Sequence, residues 1–323
     1  MESAATAGGA DGNGNDTGFI SRVSPVQVRP LLFAQPPQPL QSDLPPGFPR
    51  QFRADIRFGE SNAEYHSDPR PSKSGIADFD AGGPLLYELR HIQRAAPLQS
   101  QAVSYGSLLH SWAELGQQFW DRTIPVPDEY LTATGAFSKK GNEWRSSLAP
   151  DLIPLSAADR TKLTAQTSQL LRNSKARELL ESIVAAEFSV RFTMGGHAIR
   201  CRPDLATPSV WADLKTTREQ MPLLSWRHAV REYRYAFQSA IYQHGAIEAG
   251  WPEHELVYIV TSTVPPYACH CVTLPRAAVA EARTRVLQIL DEIAERAALN
   301  HWLPDDYGSV TELYMPAYAK EAI

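Results

Sequence analysis

The stretch from Glu187 to Thr217, "EFSVRFTMGGHAIRCRPDLATPSVWADLKTT", constrains the fold more than any other part of the chain. Apolar and polar residues alternate on both sides of Gly195-Gly196. A Gly-Gly pair enters the left-handed backbone region without steric cost, so the alternation predicts a two-stranded hairpin. After a Pro-containing turn, "VWADLKTT" reads as a third strand. Such strands need cover, and the flanking segments supply it. In "SYGSLLHSWAELGQQFW", Leu108, Leu109, Trp112, Leu115 and Phe119 recur at helical spacing. Ser72 or Ser74 can start a helix carrying Ile76 and Phe79, and Ser156 with Asp159 is capping-box-like ahead of one or two helices over 156–186. Residues 224–249 read as one long helix ended by Gly250 and Pro252. "RTIPV", "ELVYIVTST" and "YACHCVTL" are strand-like, and Pro275 opens a last helix to about Asn300. Mixed strands between helices give an α/β (α+β) domain.

That domain is expected to span residues 55–323. Residues 1–54 begin with small polar residues and carry eight Pro between Pro25 and Pro49, a composition read as a disordered tail. With no apolar run of about 18 residues, no membrane span is expected, and the first residues lack the pattern of a secretory signal. Three Cys (Cys201, Cys269, Cys271) in strand-like segments suit a reduced, cytoplasmic protein. A net charge of −5 restricts nucleic-acid binding to a local basic surface.

Within the strands, one triad carries chemistry. Residues i and i+2 of a strand share a face, so Asp213 and Lys215 lie together while Ala212 and Leu214 face the core. Asp204 ends the preceding strand, and the short turn brings it beside Asp213. Two carboxylates this close repel, and one protonates unless a cation sits between them. Oxygen ligands without supporting Cys suit Mg²⁺ or Mn²⁺ shared with substrate phosphates. A lysine beside such an ion can hold or deprotonate a water, which is chemistry for hydrolysing a phosphodiester. An isolated Asp-x-Lys is usually a solvated pair. Pro-Asp, nine residues, then Asp-Leu-Lys after a hairpin is far more restrictive.

This combination resembles the PD-(D/E)xK nuclease signature, with Asp204 and Asp213 as the acids and Lys215 as the lysine. The likeness extends over about residues 58–320 toward the exonuclease VIII (RecE-type) branch, related to RecB-type and lambda-type exonucleases. "SNAEYHSDPRPSKSGIADF" is similar to that branch's N-terminal segment, and "YGSLLHSW" to its helix bearing a metal-binding histidine, here His110. "AEFSV" matches the strand supplying an accessory acid, Glu187, and "YRYAFQSAIYQHGA" its Gln-x-x-x-Tyr helix, giving Gln238 and Tyr242. "LPDDYGSVTELYMPAYAKE" resembles its closing tail. The resemblance implies a metal held by His110, Asp204, Asp213 and Leu214. Read from the residues alone, His110 among its apolar helix neighbours is better taken as a core histidine, and Glu187 could equally be a surface acid.

Gln238 and Tyr242 share a helix face and are expected to contact a phosphate or the catalytic lysine. Arg227, Arg231 and Arg234 recur at four and three just before them and are read as a track for the DNA backbone, although such a stripe is often only a solvated face. Tyr233 and Tyr235 are read as packing residues. No iron–sulfur cluster is expected from three Cys, and no Walker A motif is present. The leading function is a Mg²⁺-dependent DNA exonuclease. The resemblance implies 5′ to 3′ digestion of linear double-stranded DNA, leaving 3′ single strands for recombination by an annealing protein, and a ring-shaped homo-oligomer, possibly a tetramer. An endonuclease on the same fold, or a catalytically silent DNA-binding or assembly factor, are the alternatives.

Overall fold

Five strands form the central sheet of the computed structural model, which describes residues 44–94, 105–220 and 222–309. In chain order the strands are β1 (Asp55–Arg57), β2 (Thr123–Pro125), β3 (Ile153–Leu155), β4 (Ala185–Ala186), β5 (Ser189–Met194), β6 (His197–Cys201), β7 (Leu205–Ala206), β8 (Trp211–Thr217), β9 (Val257–Ser262) and β10 (Cys269–Val272). The α-helices are α1 (Asn62–Ser67), α2 (Lys73–Tyr87), α3 (Tyr105–Leu115), α4 (Gln117–Asp121), α5 (Lys139–Ser147), α6 (Ala157–Arg172), α7 (Ser174–Glu181), α8 (Pro222–Glu232), α9 (Tyr235–Glu248) and α10 (Arg276–Leu299). The central sheet has the order β10-β9-β8-β7-β4 and is mixed, with β8 parallel to β9 and its other pairs antiparallel. The Gly195-Gly196 hairpin forms as expected, both glycines at positive φ (60° and 89°). Its strands join β1 in a separate three-stranded sheet, so the hairpin does not run on into β8 within one sheet.

Alternation along β8 assigns the two cores. Ala212 and Leu214, with Val257 and Ile259 of β9, pack against Leu108, Leu109 and Trp112 of α3 and Leu163 and Leu170 of α6. Trp211 and Tyr258 point the other way, into a larger core with Phe237 and Ile241 of α9 and Val286 and Ile289 of α10. Asp213 therefore points at α9. Among the described residues no helix is long and apolar enough to cross a membrane.

Two expectations are corrected. First, the long helix over 224–249 is two helices. The chain breaks at Tyr233-Arg234, where Arg234 takes the left-handed conformation (φ 52°). Its guanidinium holds the break by donating to the Arg231 carbonyl (2.6 Å) and to Asp80 Oδ2 (2.7 Å). Second, the ordered domain starts earlier than residue 55. Leu44, Phe48 and Ala54 are buried in the core, and Phe48 stacks edge-on to Trp251 at 4.6 Å and to Phe188 at 5.6 Å. The amides of Arg53 and Ala54 both donate to the Glu248 carbonyl (2.7 and 3.1 Å). Apolar anchors override a Pro-rich composition here. The rest of the predicted tail, residues 1–43, lies outside the described residues, as does the whole of the closing "VTELYMPAYAKE" segment.

Gly250 closes this seam. It follows α9 at φ 89°, and a Cβ there would stand 2.1 Å from the Gln51 carbonyl oxygen. Both the backbone conformation and the close approach require glycine. Gly250→Ala is expected to lower stability by about 2 kcal/mol, within the range for a strained left-handed residue. Urea unfolding checks this, and an unchanged midpoint would contradict the close approach.

Candidate active site

The ladder between β7 and β8 sets the two acids opposite each other. Leu205 pairs with Ala212, so Asp204, one residue before the ladder begins, stands across from Asp213, one residue after Ala212. Asp204 Oδ2 accepts the Leu214 amide at 2.7 Å, which fixes its carboxylate at the strand edge. The N–H and C=O of a strand residue point to the same side, so the Leu214 carbonyl opens toward Asp204 as well. Asp213 is 1% exposed. Its Oδ1 meets the Lys215 ammonium, and its Oδ2 accepts from Gln238 Nε2.

Glu187 and His110 complete the cluster from other elements. Glu187 lies between β4 and β5 with a positive φ of 48°. The Glu187 amide donates to the Asp204 carbonyl (3.1 Å), and Arg202 Nε donates to the Glu187 carbonyl (3.1 Å). A non-glycine residue in this conformation is held by its surroundings, here by Asp204 and Arg202. On α3, His110 Nδ1 is 3.4 Å from Asp204 Oδ2 and 3.9 Å from Glu187 Oε1. One ligand atom from each of His110, Glu187 and Asp204 lies within 4.8 Å of the others. His110 and Glu187 line an open cleft of about 590 Å³, with Glu60, Asn62, Arg202, Leu214, Lys215 and Tyr235 on its walls.

The electrostatics are those of crowded acids. Burial, then the Asp204 charge, push Asp213 up to about 6 against the opposing pull of Lys215. Burial alone would lower His110, but Asp204 and then Glu187 outweigh it and raise the imidazole to about 9. Lys215 is raised too, because Asp213 and Asp204 outweigh its own desolvation. The same carboxylate field that raises His110 would favour a divalent cation there, and such an ion would compete with the imidazole proton. Two carboxylates and a strand carbonyl are hard oxygen donors, the imidazole is a borderline one and no thiolate joins them; the oxygen-dominated set fits Mg²⁺ or Mn²⁺. Cys201 is buried in the β6 core, and Cys269 and Cys271 lie half-buried on β10.

The remaining predicted residues divide. Gln238 and Tyr242 are buried and point inward. Gln238 holds Asp213, while the Tyr242 hydroxyl donates to the Arg202 carbonyl at 2.9 Å. They brace the acids from beneath and offer no surface to DNA. Arg234 is tied to Asp80, which also takes Arg285 (3.0 Å), so it does not extend a free basic track. Arg227 and Arg231 are exposed on α8, on the far side of the break from Gln238. Tyr235 packs on Trp226 (5.0 Å, 22°), and its ring also lines the cleft beside Lys215. Sequence reasoning missed Glu60, Asn62 and Arg202. Only the capping pair Ser61 and Glu64, which starts α1 and sets Asn62 at the cleft, left a local trace. Arg202 then bonds Asn62 Oδ1 (2.8 Å) and the Glu60 carbonyl.

Comparison with known proteins places this arrangement. No curated protein matches the chain. The crystal structure of a candidate exonuclease from Eubacterium rectale shares the fold, with 15% identity, a TM-score of 0.53, and cover of 82% of this chain and 99% of that one. Protein VC1899 from Vibrio cholerae aligns over 78% of this chain and 60% of its own at 11% identity, with a TM-score of 0.17 that carries no argument. The family described as a PDDEXK-like domain of unknown function (DUF3799) matches residues 85–308. That match takes in more than half of the chain and the site from His110 to Tyr242, and the chain belongs to that family.

Proposed function

We propose that the protein is a metal-dependent deoxyribonuclease, and specifically an exonuclease of the RecE type acting on linear double-stranded DNA from 5′ ends. The observation that carries the reading is the convergence of His110, Glu187 and Asp204 beside the Asp213–Lys215 pair, at an open cleft that His110, Glu187 and Lys215 line. His110, Glu187, Asp204 and the Leu214 carbonyl would hold Mg²⁺ or Mn²⁺, with Asp213 alongside. When bound, such an ion lowers the pKa of a water and neutralises phosphate charge.

The chain's own residues supply the rest. Lys215, anchored on Asp213 and lining the cleft, donates to the attacking water or to a phosphate oxygen as negative charge builds there. Gln238 keeps Asp213 from turning away. Tyr242 fixes the Arg202 main chain, Arg202 fixes Glu187, and the acids stay aligned before substrate arrives. A water gives a proton to solvent as it adds to phosphorus, the P–O bond to the leaving sugar oxygen breaks, that oxygen takes a proton from solvent, and one product end keeps the phosphate. The exposed Arg227 and Arg231 are suited to backbone contacts along α8. A homo-oligomeric ring and an annealing partner belong to the same reading.

Digestion of linear and covalently closed duplex, with Mg²⁺ or Mn²⁺ and an EDTA control, tests it. Linear DNA is expected to shorten from its ends, a 5′ label leaving first, while the closed circle survives. Nicking of the circle would make the enzyme an endonuclease. Failure to cut either substrate with either ion would overturn the nuclease reading.

A further inference from the structure

A second ammonium stands at the edge of the catalytic cleft. Lys73 opens α2, and its Nζ donates to the Tyr233 carbonyl at 2.6 Å. It also lies 5.4 Å from the centroid of the Tyr235 ring, the ring that Lys215 approaches to 5.2 Å. Lys215 has Asp213 for a counterion. Among the described residues Lys73 has no carboxylate partner, only a neutral carbonyl and an aromatic face.

The surroundings increase the imbalance. Lys73 lines a cavity of about 1230 Å³ next to the cleft, and Asn62 lines both. Two arginines on the cavity wall are also satisfied by carbonyls. Arg94 donates to Ser67 (2.8 Å), and Arg200 donates to Arg70 (2.9 Å) and Tyr65 (2.5 Å). By contrast, Arg90 and His91 on the same wall share Asp78, and Arg234 has Asp80. Burial, then the nearby Lys215 charge, pull Lys73 down to about 8 against the weaker opposing pulls of Asp213 and Asp78, neither of which pairs with it directly. Holding two ammonium groups against one tyrosine is unfavourable in the free chain. It becomes favourable when an anion lies between the cleft and the cavity.

We propose that Lys73 is a substrate-contacting residue, whose ammonium holds the phosphate next to the scissile one where the strand passes over Tyr235 into the cationic cavity. The inference rests on the nuclease reading and adds to it a path for the strand. A phosphate there would give Lys73 the counterion it lacks and would sit within the field of Arg94 and Arg200. The contact is to backbone, so it is blind to base sequence.

The test measures binding of a short labelled DNA duplex in EDTA over a salt series, alongside Mg²⁺-dependent cutting by the wild-type protein. Lys73→Gln keeps a donor for the Tyr233 carbonyl and removes the charge, while Lys73→Arg keeps the charge. Loss of one phosphate contact is expected to reduce the slope of log affinity against log salt by about 0.9 in Lys73→Gln, with the wild-type slope kept in Lys73→Arg. Thermal melts establish that each variant is folded. Lys73→Met serves in place of Lys73→Gln should the latter not fold, with the same slope expected. If the wild type binds and cuts but the uncharged variant keeps its affinity and slope, Lys73 merely caps a carbonyl and this inference alone falls. A lower cutting rate at unchanged slope overturns it too, because Lys73 would then act only through Tyr235. If the wild type neither binds nor cuts, the nuclease reading falls and takes this inference with it.

Discussion

Asp204→Asn and Asp213→Asn are each expected to reduce Mg²⁺- or Mn²⁺-dependent cutting of linear duplex by roughly a thousandfold, the upper range for loss of one electrostatic stabiliser. The two substitutions act differently. Asn at 204 can still accept the Leu214 amide through its side-chain carbonyl, so the strand edge keeps its hydrogen bond and loses only the charge. With that charge gone, the raised His110 value loses the largest of the influences that raise it, and the cluster attracts a cation less. Asn at 213 leaves the cluster of His110, Glu187 and Asp204 in place and removes the counterion of Lys215. Calorimetric titration with Mn²⁺ separates them, with affinity expected to fall more in Asp204→Asn. Near-normal turnover in either variant would sink the assignment of these acids.

The second large effect is on stability. Lys215→Met is expected to cost about 3 kcal/mol at pH 7.5, the lower end for a broken buried pair, because it leaves the buried Asp213 carboxylate uncompensated although Lys215 itself is half-buried at the cleft. The pH dependence has a definite sign. Asp213 is raised from its ordinary 3.8 to about 6 in the folded chain. A carboxyl raised on folding contributes stability that is full below its unfolded value and is lost as pH climbs through the folded one. Without Lys215 the Asp213 value rises further, since the opposing charge is gone. The deficit of Lys215→Met should therefore widen from pH 6 to pH 8 and narrow below pH 6. The double variant Asp213→Asn/Lys215→Met should recover most of the loss, as neither charge remains buried. Urea unfolding in EDTA across this range reads all three. A deficit independent of pH, or a double variant as unstable as the single one, would contradict a buried charge pair.

What was legible in the sequence is what short-range geometry determines. Period-two alternation set Asp213 and Lys215 on one face of β8 and Ala212 and Leu214 on the other, and the structure keeps both assignments. The Gly195-Gly196 turn was equally plain, because few other residue pairs take those angles. The helix break at Arg234 was hidden. No Gly or Pro marks it, and the residue that holds it open does so through Asp80, more than a hundred residues away in sequence. The early domain start was hidden for the opposite reason: Leu44 and Phe48 are two anchors within a segment whose prolines dominate its composition. Gln238 and Tyr242 were placed on the correct helix, but an i, i+4 spacing does not say whether the shared face looks at substrate or at the core. Glu60 and Arg202 reach the cleft, and Lys73 its edge, through tertiary contacts alone.

The turn from Thr207 to Val210 has a bearing on how such sites are found. It closes on itself, with the Thr207 amide donating to the Val210 carbonyl at 2.9 Å and the Thr207 hydroxyl accepting the amides of Ser209 and Val210. The acids lie at the opposite end of the β7–β8 ladder. Extra residues inserted at Pro208-Ser209 would lengthen the loop away from the cleft and leave Asp204 facing Asp213. Slipping β7 by a single residue would turn its side chains to the other face and part the acids. The nine-residue interval between them is therefore set by loop length, while the register of the ladder brings the acids face to face. A search keyed to a fixed interval would pass over relatives with longer turns, and one keyed to strand pairing would retain them.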